Sequence, residues 1–196
     1  MTVIRARGLG RDFGAKRVLR GLDFDLAHGG FLVVTGPNGA GKSTLLSLCA
    51  GLLAPTSGEL TVEAERAEIG YLAHEPLVYR ELTALENLDL YGRLYRIPER
   101  RERIGMVLER FGLWEARHER AGSFSRGMAQ RLALCRALLH EPRLLLLDEP
   151  YAGLDDAGTQ LLDDELQMLA RERTLVVATH EPERVSELAT SALALA

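Results

Sequence analysis

Apolar residues along the chain follow two alternating rhythms. Residues 2–6 and 22–26 are short β-like runs, and Phe31-Leu32-Val33-Val34-Thr35 is apolar almost throughout, as in a strand covered on both faces. The period then changes: Leu45, Leu46, Leu48 and Cys49 share a helical face over residues 42–51, and the run stops at Gly51. Residues 56–59 read as a turn, and 60–62 and 69–73 as strands. Thr83-Ala84-Leu85-Glu86 is a capping box that opens a helix running to residue 95. Pro98 fits the first turn of a second helix, with Ile104, Val107, Leu108 and Phe111 on one face. Ser125 caps a third, which carries Leu132, Leu134, Cys135, Leu138 and Leu139. Strand and helix alternate again afterwards: an all-leucine strand at 144–147, a helix over 159–171, a strand at 175–179, a short helix over 182–189 and a last strand at 193–195.

Alternating strands and helices predict an α/β fold with a parallel sheet covered on both faces. Residues 76–142 interrupt that alternation with helices and read as an inserted helical lobe. On this division residues 1–196 form one domain, with 1–75 and 143–196 as its core.

Composition narrows the class. A chain of 196 residues with 46% hydrophobic content can bury a proper core, and a net charge of -4 argues against a protein whose main business is gripping nucleic acid. Cys49 and Cys135 lie far apart with no CxxC or Cys/His cluster near them, which predicts small buried hydrophobes rather than a disulfide or zinc site. No secretory leader is evident, and no window reaches the roughly 18–20 apolar residues of a membrane-spanning helix. The expectation is a soluble, cytoplasmic polypeptide whose membrane role, if it has one, comes through a partner. Arg93, Arg96, Arg100, Arg101 and Arg103, interleaved with Glu99 and Glu102, read as a solvated helix face, and Trp114 as packing within the lobe.

The strongest chemical signal is Gly36-Pro37-Asn38-Gly39-Ala40-Gly41-Lys42-Ser43, followed by Thr44. It matches GxxxxGK[ST] at every fixed position and stands between a strand and a helix. Glycines let successive backbone N–H groups point at phosphate oxygens, and the helix that follows adds its positive end. Lys42 is placed to contact the β and γ phosphates of a nucleotide, and the Ser43 hydroxyl to ligate Mg²⁺. Leu144-Leu145-Leu146-Leu147-Asp148-Glu149 supplies the second half. A strand ending in two carboxylates sets Asp148 beside the loop as a metal-holding group and Glu149 nearer an attacking water.

These residues resemble the ATP-binding subunits of ABC transporters, over essentially the whole chain. Phe124-Ser125-Arg126-Gly127-Met128-Ala129-Gln130-Arg131 is similar to the family signature Leu-Ser-Gly-Gly-Gln with its following Gln-Arg; Arg126 and Met128 depart from it. Ala152-Gly153-Leu154-Asp155 resembles the D-loop, Thr179-His180 the switch histidine, and Phe13 the aromatic that stacks on adenine. The resemblance implies a P-loop NTPase with a RecA-like parallel sheet, an N-terminal β subdomain and the family's helical lobe. It also implies ATP and Mg²⁺ as cofactors. A head-to-tail homodimer would sandwich two ATP molecules, each capped by the other copy's Ser125 and Gly127. Glu149 would act as general base or water-positioner and His180 would contact the γ-phosphate. An integral-membrane permease would receive the stroke at the cytoplasmic face.

His74 occupies the place where most family members carry a glutamine. With the shortness of the chain and Glu81-Leu82-Thr83-Ala84-Leu85-Glu86-Asn87-Leu88, it resembles the ATPase of the haem exporter of cytochrome c maturation. Other small-molecule or multidrug exporters share most of these features, and a soluble ABC-type ATPase of cofactor assembly is the rival from another class. His28, His118 and His140 match nothing in the family and read as solvated or capping. Arginine supplies all but two of the 24 basic residues; the exceptions are Lys16 and Lys42. Lys42 stands where phosphate chemistry calls for a compact ammonium, while Lys16→Arg is expected to have little effect.

Overall fold

The computed structural model describes all 196 residues. A long hairpin of β1 (Thr2–Phe13) and β2 (Lys16–Ala27) closes through Gly14 and Ala15. β3 (Phe31–Thr35), α1 (Lys42–Cys49), β4 (Ser57–Val62) and β5 (Ile69–Leu72) follow. Three helices come next, α2 (Ala84–Leu94), α3 (Arg100–Arg110) and α4 (Arg126–Leu138). The chain ends with β6 (Leu144–Asp148), α5 (Asp156–Leu169), β7 (Thr174–Ala178) and β8 (Ser191–Ala194).

The strands form two sheets. β2-β1-β4 is antiparallel, and β5-β6-β7-β3-β8 is parallel at every pairing. Successive residues of the parallel strands face opposite sides. Phe31, Val33, Leu145, Leu147, Leu175 and Val177 join α2 to α5 in a cluster of 27 buried residues. Leu32, Val34, Leu144, Leu146, Val176 and Ala178 join α1 and the antiparallel sheet in a second cluster, of 20. Because both faces are covered, β3, β6 and β7 read as unbroken apolar runs. Each of the four β6 leucines is fully buried and adds about 1.5–3 kcal/mol over an exposed position.

The capping box is present: the Glu86 backbone N–H donates to Thr83 Oγ1 at 3.1 Å, and the Thr83 N–H donates to Glu86 Oε2 at 2.8 Å. Both cysteines are free and buried, and burial pushes the Cys49 thiol up to about 12, which keeps it unreactive. Trp114 packs on the larger cluster, with the Arg117 guanidinium 4.1 Å from its ring.

Several elements differ from their sequence expectation. The first two strands extend to 12 residues each, and the turn expected at 56–59 is the start of β4, held by pairing of Ser57 to Gly10 and Glu59 to Arg7. α3 begins at Arg100 instead of Pro98, because the Ile97 N–H turns back to the Gly92 carbonyl at 2.9 Å and Glu99 adopts φ 51° before the helix. α5 begins three residues early, since the Asp155 side chain caps it by accepting from the Gly158 N–H at 2.8 Å. The helix over 182–189 reduces to one tight turn, Pro182–Arg184, because the Thr190 N–H is drawn to the Phe31 carbonyl and starts the chain into β8. The arginine-rich face is not simply solvated: Arg93 and Arg100 bond Asp89, and Arg103 donates to the Leu138 and Leu139 carbonyls at the end of α4. His140 is not solvated either. It stacks on Tyr95 at 3.9 Å between centroids and bonds the Ile69 carbonyl through Nε2, and burial lowers its pKa.

Candidate functional site

Register places the chemistry. Asp148 in β6 and Val34 in β3 both pair with Ala178 in β7, so the three strands end level. The residues that follow them, Gly36, Glu149 and His180, emerge at the same carboxyl edge of the sheet, where open α/β sheets bind ligands. The Glu149 N–H continues the ladder to the Ala178 carbonyl at 2.8 Å, and the Thr179 N–H to the Val34 carbonyl at 3.1 Å.

Between β3 and α1 the chain runs through Gly36, Gly39 and Gly41 at φ 146°, 84° and 101°. Gly41 is the N-cap of α1 and offers no side chain to the first helical N–H groups, which leaves them free for an anion. Its own substitution is constrained twice over. A Cβ there would lie 2.6 Å from Leu19 Cδ2 and 2.9 Å from Val18 Cγ1, at a backbone angle that side chains rarely adopt. Gly41→Ala is therefore expected to cost about 2–4 kcal/mol of folding stability and to lift β2 from the loop, read by urea unfolding.

The Lys42 side chain is buried and reaches back along the loop, donating from Nζ to the Gly36 carbonyl at 2.9 Å. Its Nζ also stands 3.5 Å from Glu149 Oε1. The other oxygen, Glu149 Oε2, lies 2.7 Å from His180 Nδ1 and accepts from the His180 backbone N–H at 3.2 Å. Glu149 itself holds φ 49°, a conformation in which non-glycine residues are uncommon. Three groups expected to act on the γ-phosphate region are thus joined through one carboxylate.

Asp148 is 1% exposed, and neither of its carboxylate oxygens has a hydrogen-bond partner. Burial pushes its carboxyl above the usual range, while the Ser43 hydroxyl, His74 and Lys42 pull it down and Glu149 pushes it further up. Unpartnered buried carboxylate oxygens fit a cation. No cluster of three His, Cys, Asp or Glu side chains could hold that cation alone. The fit is to a metal such as Mg²⁺, which uses one or two protein oxygens and takes the rest from phosphate and water.

A cavity of about 590 Å³ contains these groups. Phe13, Pro37, Asn38, Gly39, Gly41, Lys42, Ser43, Thr44, His74, Asp148 and Glu149 line it. Gly36 and Ala40 serve the loop from outside the lining, Gly36 through the carbonyl that Lys42 bonds and Ala40 buried with its N–H on the Pro37 carbonyl. Lys16 and Val18 also line the cavity and were missed. Their signal was the pairing of Phe13 with Lys16 across a two-residue turn, hidden because arginines at positions 17 and 20 mask the alternation of β2.

Ser125, Gly127 and Asp155 are not among the lining residues. Ser125 caps α4, accepting from the Met128 N–H at 3.2 Å, and Asp155 caps α5. A Cβ on Gly127 would lie 2.8 Å from the Gly153 carbonyl, and one on Gly153 would lie 2.6 Å from Arg126 Cγ, so the 125–127 segment packs directly on the 152–155 segment. Gln130 lies in the same signature-like segment. It is 1% exposed and donates to the Pro150 carbonyl at 3.1 Å, joining α4 to the end of β6.

Fold and cavity together define a P-loop nucleotide-binding domain. Comparison with known proteins carries this further, since the ABC transporter family profile matches residues 19–152. The chain belongs to the ABC transporter family. Over 184 residues, 91% of the chain, it is 39% identical to an uncharacterized ABC transporter ATP-binding protein of Bacillus subtilis (strain 168), YxlF. Over 193 residues, 92% of the chain, it is 37% identical to Nod factor export ATP-binding protein I of Rhizobium sp. (strain N33). It spans 62% and 64% of the lengths of these two relatives. Among solved structures, a dimeric ATP-binding cassette in a post-hydrolysis state bound to ADP and Pi matches with a TM-score of 0.87 at 26% identity, over 98% of this chain and 94% of that one.

Proposed function

We propose that the chain binds and hydrolyses ATP with Mg²⁺ and energises export through a separate membrane permease. The observation that carries this reading is the convergence of Lys42, Asp148 and Glu149 in one cavity, with Phe13 also on its wall. Phe13 offers a face to the adenine, the loop N–H groups and Lys42 hold the phosphates, and Ser43 and Asp148 hold the metal. Bound Mg²⁺ would neutralise charge developing on the phosphate oxygens. Glu149 orients and deprotonates the attacking water, and His180 holds that carboxylate until the γ-phosphate arrives. His74 lines the same cavity as Asp148.

Ser125 and Gly127 lie outside the cavity, so one copy does not supply them to its own phosphates. They stand at the N-terminus of the 13-residue α4, which favours an anion. In the proposal a second copy presents them across the nucleotide, together with Asp155, and the dimeric state of the solved cassette supports that arrangement. Residues 76–142 act as one lobe that carries Ser125 and Gly127 toward or away from the partner. ATP closes the dimer and hydrolysis opens it.

No helix is long and apolar enough to cross a membrane; in this reading the pathway belongs to the permease. A groove of about 250 Å³ between α1, β5, α2 and α4, lined by Leu52, Leu77, Tyr91 and Tyr95, suits a cytoplasmic segment of that permease; Leu52 and Leu77 are 59% and 49% exposed. In this reading the chain sits peripherally on the cytoplasmic face of the membrane. Export is favoured because one relative is named for Nod factor export. The narrower haem-export reading rests on His74 and residues 81–88, and the relatives reported above give it no support.

Co-purification in mild detergent tests the assignment. A multi-span permease is expected to accompany the chain and to be lost, with ATP hydrolysis retained, from the Leu52→Asp/Leu77→Asp double variant. Recovery of soluble assembly factors alone would replace the transport reading with that of a cofactor-assembly ATPase.

A further inference from the structure

Both lysines of the chain line the same cavity, although arginine supplies every other basic residue. Lys42 serves the phosphate loop. Lys16 is the first residue of β2 and pairs directly with Phe13 in the antiparallel register. Side chains directly opposite each other on such strands project to the same face, with Cβ atoms about 4.5–5.5 Å apart. Only Gly14 and Ala15 separate the two residues, with Gly14 at φ 58°, so the pairing cannot slip without remaking the turn.

The surroundings fix this pair in place. The Arg11 guanidinium carbon lies 4.6 Å from the Phe13 ring centroid, and Arg11 Nη1 donates to the Ala54 carbonyl at 2.9 Å. Arg11 does not line the cavity, so it braces the ring without occupying the space where a base would stack. Val18 and Leu19, on the same strand as Lys16, close over Gly41. The hairpin and the phosphate loop therefore form one continuous wall. A nucleotide lying from Phe13 to Lys42 presents its ribose and α-phosphate to the stretch of that wall beside Phe13, within reach of a four-carbon ammonium side chain.

We propose that Lys16 is a nucleotide-binding residue whose ammonium takes the ribose and α-phosphate oxygens of the bound nucleotide. This rests on the reading of the cavity as the ATP site and adds a contact to it. ATP and ADP share those oxygens, so Lys16 holds substrate and product alike. Such uniform binding lowers KM and leaves the chemical step untouched. A flexible point charge suits this position, where the nucleotide enters and leaves, whereas a planar fork would bind bidentately at one geometry.

Affinities for ATP, ADP and inorganic pyrophosphate, measured on the full chain and its Lys16→Gln and Lys16→Arg variants, test the assignment. Lys16→Gln is expected to weaken ATP and ADP together by about 5- to 20-fold, with pyrophosphate held to within about twofold. KM for ATP should rise by the same factor with kcat changed less than about twofold. Lys16→Arg should recover most of the lost affinity, since it keeps the charge. Unchanged ATP and ADP affinities in Lys16→Gln would overturn the proposal. So would an equal loss for pyrophosphate, which would reduce Lys16 to a contributor to the general field of the cleft. Failure of the unaltered chain to bind either nucleotide would instead overturn the reading of the cavity itself.

Discussion

Glu149→Gln is expected to reduce steady-state ATP hydrolysis by about 10²–10⁴-fold while ATP binding is retained and a nucleotide-bound dimer accumulates. The amide has the shape of the carboxylate and still offers an oxygen to the His180 N–H, which donates at 3.2 Å to Glu149 Oε2. It cannot accept a proton from water. The substitution also removes the anion 3.5 Å from Lys42 Nζ, and Lys42 keeps the Gly36 carbonyl as its partner, so no buried cation is stranded. Lys42 is then freer to meet incoming phosphates, and ATP affinity should stay level or tighten. Phosphate release and size-exclusion chromatography with ATP check the two halves. Near-normal hydrolysis would sink the assignment of Glu149. Loss of both hydrolysis and binding would show that the carboxylate serves the architecture of the site rather than the water.

The same carboxylate shows what the sequence could and could not reveal. Lysine after a glycine-rich turn and two acids after a leucine strand were legible, because each is a local pattern whose chemistry dictates residue types at fixed spacing. The parallel sheet was legible for a similar reason: β3, β6 and β7 are buried on both faces, and such strands announce themselves as unbroken apolar runs. That Glu149 bridges Lys42 and His180 was not legible, since it depends on three strands ending level and on a φ of 49° at one residue. Lys16 was passed over because its meaning lies in a cross-strand pairing. The end of the chain misled for a related reason. Residues 182–189 have helix-compatible composition, but the Thr190 N–H bonds Phe31, and a β-ladder contact fixed from elsewhere in the fold overrides a weak local preference.

Residues 125–127 and 155 mark a different boundary. As sequence they belong with the phosphate loop. As structure they pack on one another outside the cavity, Gly127 against Gly153 and Arg126 across it. Their side chains already have local duties, Ser125 and Asp155 as helix caps. Those capping duties explain why each segment taken alone looks like ordinary helix punctuation. Gln130 completes the connection, because its bond to the Pro150 carbonyl ties the helix that bears the signature to the residue after Glu149.

Lys42→Arg, conservative by charge, is expected to lower ATP affinity by more than about tenfold and hydrolysis by about 10²-fold or more. The Lys42 side chain is 7% exposed and its single ammonium fits between the Gly36 carbonyl at 2.9 Å and Glu149 Oε1 at 3.5 Å. A guanidinium is a wide planar fork and prefers to grip a carboxylate through two parallel hydrogen bonds. Placed here it would clasp Glu149, occupy the space proposed for the β and γ phosphates and withhold the proposed general base at the same time. Lys42→Ala isolates the simpler loss: no clasp forms, the phosphates lose a cation, and affinity falls while Glu149 stays bonded to His180. The double variant Lys42→Arg/Glu149→Gln separates the two causes. With the carboxylate gone the clasp cannot form, so titration with a fluorescent ATP analogue should show affinity partly restored over Lys42→Arg alone, with hydrolysis still absent. If the double variant binds no better than Lys42→Arg, the defect lies in the width of the loop around position 42 and not in capture of Glu149.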